Sequence, residues 1–155
     1  MTRGERVILA LGSSFLAAYL VQAWVGCTPA WLASLQASDR YRALSGCALA
    51  LYVLGQTFVG RKRKHDPVRT LARHRLVGAC APLVLYLHAA RFAYGYLLLL
   101  AYVYLATVLL GLLYRPMQTA RARQLYLGWF LAHVAAAASL VVLAGYHAAI
   151  ALGYE

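Results

Sequence analysis

Long apolar runs separated by short polar or basic stretches organise this chain. The first run extends from Val7 to Gly26 behind Arg3 and Arg6. About 20 apolar residues cross a bilayer core, so residues 7–26 are expected to form a span. With no clear small-x-small cleavage site after it, the span is expected to be retained. Residues 27–42 are mixed and read as a loop with room for a short surface helix; Trp24, Trp31 and Tyr41 suit the membrane boundary. A second span is expected over 43–60, ended by the basic stretch from Arg61 to Pro67. Between Leu76 and Tyr114 only Arg91 is charged, a length too great for one helix. The segment Arg91-Phe-Ala-Tyr-Gly-Tyr96 supplies a hairpin, giving spans over 73–92 and 96–114, the latter closed by Pro116. The last span covers 125–152. The expected fold class is therefore all-α: one integral membrane domain of about five transmembrane helices.

Composition agrees. Hydrophobic residues make up 63% and charged residues 12%, with a mean hydropathy of +0.65, whereas soluble domains are closer to half apolar and a quarter charged. The net charge of +11 invites a nucleic-acid reading, but its distribution argues against one. Seven of the 15 Lys and Arg lie between Arg61 and Arg75, and three more between Arg115 and Arg123. Both clusters fall between apolar runs, where cytoplasmic loops carry positive charge. This places the N-terminus in the cytoplasm and the C-terminus outside. The four carboxylates (Glu5, Asp39, Asp66, Glu155) avoid the apolar runs, which disfavours a carboxylate-based ion pump. Cys27, Cys47 and Cys80 are widely spaced and form no CxxC or CxxCH motif. A disulfide framework, a zinc site and covalent haem attachment are thereby disfavoured.

The candidate chemistry lies in the histidines. His65 sits in the basic loop and reads as a solvated side chain. His74 and His88 are fourteen residues apart, as are His133 and His147. In a helix that spacing returns to within about 40° of the starting direction after a rise of about 21 Å. The third and fifth spans run in the same direction, so His74 lies level with His133 near the cytoplasm and His88 with His147 near the outside. Two facing imidazoles at one depth are what a six-coordinate haem iron takes, and bundles build cofactor sites from facing helices. Two b haems are expected, inside residues 73–150. Gly78, Gly145 and the alanines 135–138 permit close approach of a flat macrocycle, although small residues also serve plain helix packing. Arg75 and Arg91 are candidate propionate contacts. For Arg73 and Arg75, ordinary anchoring at the inner boundary is an equal alternative.

The motif Arg75-Leu-Val-Gly78 with His88 ten residues on, and Trp129 four residues before His133 with His147 following, resembles the ferric reductase-like transmembrane domain. That superfamily includes the membrane halves of ferric reductases and NADPH oxidases and the haem subunit of periplasmic methionine sulfoxide reductase. The resemblance covers residues 73–150. It implies electron flow from the cytoplasm outward, a bacterial inner-membrane setting, and a separate donor, either a reductase or a quinol. Val134 departs from the family, which often has a basic residue there. Five spans are counted where six are usual, and no flavin or nicotinamide domain is present before Glu155.

These features lead to an electron conduit in lipid, one subunit of an oxidoreductase rather than a complete enzyme. Its expected acceptor is ferric iron, oxygen or an extracytoplasmic redox partner. Two rival readings stand beside it: a haem-binding anchor exchanging quinone within a larger respiratory or photosynthetic complex, and a cofactor-free transporter or assembly factor.

Overall fold

The computed structural model describes residues 2–59, 66–119 and 123–153. The basic stretch 61–65 with His65, and Arg121, lie outside them. The described residues hold helices and no strand, in the order α1 Arg3–Val25, α2 Ala30–Ala37, α3 Asp39–Val59, α4 Pro67–Ala79, α5 Ala81–His88, α6 Tyr96–Leu112, α7 Tyr114–Thr119 and α8 Arg123–Gly153. The chain divides into two compact units, Met1–Ala93 and Tyr94–Glu155.

Two helices, α1 and α8, are long and apolar enough to cross a membrane. Of their apolar stretches only 11% and 6% is buried by protein. The core helix of a water-soluble protein buries most of such a surface, so these helices leave theirs for another apolar medium. Of the five expected spans, the first and last are thus full-length apolar helices. The second begins with a polar turn at Asp39, the third is divided at Cys80, and the fourth is a shorter apolar helix, Tyr96–Leu112.

In the first unit, local chemistry defines the helix ends. Thr2 and Glu5 cap α1 reciprocally: the Glu5 amide donates to Thr2 Oγ1 at 3.3 Å and the Thr2 amide to Glu5 Oε2 at 2.8 Å. Gly26 ends α1 with a φ of 72°, a conformation glycine adopts without steric cost. Asp66 caps α4, its Oδ1 accepting from the Arg69 amide at 3.0 Å, and Pro67 occupies the first helical turn.

The break between α4 and α5 has two causes. Pro82 has no amide to donate back to Gly78, and its ring crowds the preceding turn. The Cys80 amide turns instead to Val77 O at 3.0 Å. The hydroxyl of Tyr52, on α3, donates to the same Val77 carbonyl. Val77 O thus accepts from both the Cys80 amide and the neighbouring helix at the point of division.

Contacts along the helices fix their register. Glu5 lies 3.7 Å from Arg75, and the Tyr19 hydroxyl donates to Ala89 O at 3.2 Å. Hence α1 runs parallel to α4 and α5. Helix α3 runs antiparallel to them, since Tyr41 donates to Leu87 O at 2.9 Å while Tyr52 meets Val77. Short α2 buries Leu32 completely and leaves Trp31 exposed.

The second unit is an antiparallel pair, α6 and α8, with α7 at the turn. Gly95, at φ 62°, starts α6. Helix α6 ends at Leu112, before Pro116, which falls inside the short helix α7. There it occupies the first turn, where an amide donor is not required. Trp129 of α8 donates its indole N–H to Leu110 O at 2.7 Å, satisfying a carbonyl that the end of α6 leaves open.

Candidate functional site

His88 is the last residue of α5, and the backbone around it is held from three sides. Gln36 of α2 donates its amide N–H to Tyr86 O at 2.9 Å and to Leu87 O at 3.1 Å, and accepts from the Ala90 amide at 3.4 Å. Tyr41 and Tyr19 cover Leu87 O and Ala89 O. The Tyr19 ring also meets Phe92 edge-on, centroids 5.8 Å apart. These contacts satisfy the final carbonyls of the helix and stop it at His88, short of the expected end near residue 92.

The His88 imidazole rests on α3. Its Nδ1 lies 3.0 Å from Ser45 Oγ, and a Cβ added at Gly46 would stand 3.2 Å from its Cε1. A methyl there would require the ring to give by a few tenths of an ångström. The same helix offers a control, because a Cβ at Gly55 would meet nothing within 4 Å. Gly55→Ala should therefore gain up to about 1 kcal/mol of helix propensity. Gly46→Ala should lose that gain to crowding, which typically costs about 1–3 kcal/mol. Thermal unfolding of the two variants in detergent is expected to place Gly46→Ala below Gly55→Ala.

His74 lies in mid-α4, half-buried. Its neighbour Arg75 pairs with Glu5 at 3.7 Å, with side chains 12% and 17% exposed. Arg91 donates to Gly26 O at 3.1 Å, at the C-terminal end of α1, where a cation is favoured by the helix dipole. The two arginines expected to meet propionates thus grip opposite ends of α1.

In the second unit both histidines of α8 meet α6. His133 stacks on Trp129, centroids 6.0 Å apart and planes 9° from parallel. It also hydrogen-bonds the backbone of Thr107, and a Cβ at Gly111 would stand 3.5 Å from its Cε1. His147 Nδ1 lies 3.3 Å from the Tyr96 hydroxyl. Trp129 is in turn packed by Tyr114 and Tyr126, at 5.7 and 5.5 Å.

Sequence reasoning did not single out Ser45, Gly46, Gly111 or Tyr96 as imidazole partners. It favoured Gly78 and Gly145, where an added Cβ would meet nothing within 4 Å. The missing signal is register. Only with α6 and α8 laid antiparallel does Gly111 fall beside His133.

The donor chemistry suits haem. A macrocycle brings four equatorial nitrogens, so two imidazoles complete an iron, and no cage of protein ligands is needed. Among the described residues no group of three or more His, Cys, Asp or Glu is placed to hold a bare metal ion. His88 has its Nδ1 3.0 Å from the Ser45 hydroxyl. No family model, curated protein or solved structure matches this chain.

Proposed function

We propose that the chain is a membrane cytochrome b that carries electrons across the bilayer as the membrane subunit of an oxidoreductase. One observation carries this reading. In the first unit, the contacts Glu5–Arg75 and Tyr19–Ala89 span fourteen residues on unbroken α1 and fourteen on the broken α4–α5 segment. The divided helix therefore keeps the full rise of about 21 Å between His74 and His88. In the second unit, His133 and His147 have the same spacing on unbroken α8 and meet the same neighbouring helix. Each unit thus presents two imidazoles at one matched separation.

His74 and His133 would hold the inner haem, and His88 and His147 the outer one. Bound there, haem supplies a one-electron Fe(III)/Fe(II) couple at each level. The protein's part is to hold neutral imidazoles at fixed depth and to keep water from them with apolar helices. Arg75 and Arg91 put positive charge near the two levels, where haem carboxylates are stabilised. Five spans follow if α1, α3, the α4–α5 segment, α6 and α8 all cross, with the N-terminus cytoplasmic and the bacterial inner membrane as the setting. The exposed apolar faces of α1 and α8 support lipid as their surroundings. Electrons would come from a separate reductase or a quinol and leave to an extracytoplasmic acceptor.

Vesicles reconstituted with the haem-loaded chain test this reading. With ascorbate trapped inside and ferricyanide outside, they should bleach ferricyanide well above the rate of empty vesicles. A rate equal to that of empty vesicles would remove the conduit.

A further inference from the structure

Helix α2 is held against the first unit at both ends. Before its start, the Gln22 side chain of α1 donates to Cys27 O at 3.3 Å and to Thr28 Oγ1 at 3.2 Å, while Arg91 donates to Gly26 O at 3.1 Å. Towards its far end, Gln36 bonds the backbone of residues 86, 87 and 90. A helix of eight residues is marginal by itself, so these bonds decide which side it turns inward. Leu32, fully covered, and Gln36 are four residues apart and share the inner side. Trp31 and Leu35 are also four apart and share an outer side, with Trp31 58% exposed and Leu35 exposed beside it. No residue of α2 is charged. A rigidly held helix thus carries an apolar side that its own unit leaves uncovered.

The neighbouring end of α1 indicates what covers it. Trp24, in the last turn of α1, is 89% exposed. It lies 18 positions after Arg6 and 21 after Arg3, rises of about 27 and 31 Å along the helix. A hydrocarbon core is about 30 Å thick, so a crossing α1 has its arginines at one boundary and Trp24 at the other. The pinned turn 26–29 joins α1 to α2, and Trp31, in the first turn of α2, stands close to the same end. An indole has a broad apolar body and one N–H to donate, and such rings collect where acyl chains meet headgroups.

We infer that the Trp31–Leu35 side of α2 docks on lipid, in the layer between acyl chains and headgroups at the Trp24 end of α1. Lipid at that depth accounts for both exposed indoles, whereas water would face two uncovered aromatic rings and a leucine. Gln36, on the inner side of the same helix, then ties the end of α5 to that layer. The inference rests on the membrane setting of the proposed function and is independent of haem.

The test uses the full-length chain, labelled with fluorotryptophan and embedded in lipid bicelles. Its three tryptophans give three fluorine resonances, with those of Trp24 and Trp31 assigned by their loss in Trp24→Phe and Trp31→Phe. A lipid carrying a nitroxide on its headgroup should broaden the Trp31 and Trp24 signals several-fold more than a lipid carrying it at the end of an acyl chain. A Trp31 signal insensitive to both lipids, as beneath a second copy, under a partner protein or in water, would overturn the inference. Stronger broadening by the chain-end nitroxide would overturn it as well. Alkaline washing of membranes that contain the chain separates the levels of failure. Release of the chain would defeat the membrane setting and this inference together, whereas a retained chain with an insensitive Trp31 would defeat the inference alone.

Discussion

His88→Ala should leave the purified chain with one b haem in place of two. The substitution removes an imidazole and nothing that holds the helix end. Gln36, Tyr41 and Tyr19 bind the backbone at residues 86–90 by carbonyl and amide contacts that alanine preserves. The fold of the first unit should therefore survive with a modest loss of packing against Ser45 and Gly46. Under the proposed pairing, His147 alone cannot give a six-coordinate iron. His74 lies about 21 Å away along its own segment, beyond the reach of a local disturbance. Pyridine haemochrome should read one equivalent, and His74→Ala should remove the complementary component of the redox difference spectrum. Loss of the same component in both variants would refute the two-level assignment.

Arg75→Glu should produce the largest loss of stability of any single change outside the histidines. Arg75 and Glu5 lie 3.7 Å apart with most of both side chains covered. Charge reversal sets two carboxylates against each other where water is scarce, and breaking a covered pair typically costs about 3–5 kcal/mol. The effect should reach the proposed haem ligand His74, which precedes Arg75 directly. Adding Glu5→Lys should recover only part of the loss. A cation at the start of α1 opposes the helix dipole, and the reciprocal cap between Thr2 and Glu5 is gone. Thermal unfolding in detergent reads the cycle. Melting of Arg75→Glu within a degree or two of wild type would show that the pair contributes nothing.

The all-helical architecture was legible because apolar run length and basic interruptions are direct consequences of lipid solvation. Helices α1 and α8 follow from that pattern alone, and the start of α6 follows from Gly95. The interior of the first unit was less legible. Pro82 forecasts a bend, but at the division Val77 O also accepts from Tyr52 of α3, 25 residues earlier in sequence. The end of α5 at His88 likewise depends on Gln36 and Tyr41. Such side-chain-to-backbone bonds leave no local periodicity to read.

The candidate histidines are proposed from spacing and helix phase, which need only the helical repeat. Their neighbours were not. Ser45 and Gly46 lie in a helix with modest apolar character, where a serine beside a glycine resembles ordinary close packing. Arg75 and Arg91 show the same limit. Their positions beside histidines suggested propionates, whereas their partners in this structure, Glu5 and Gly26 O, become evident only when α1 is laid alongside.

The central claim is that four histidines hold two haems. A reduced-minus-oxidised spectrum of the purified chain, quantified by pyridine haemochrome, tests it most directly. Two b haems per chain are expected, and a colourless protein from haem-replete cells would contradict the account.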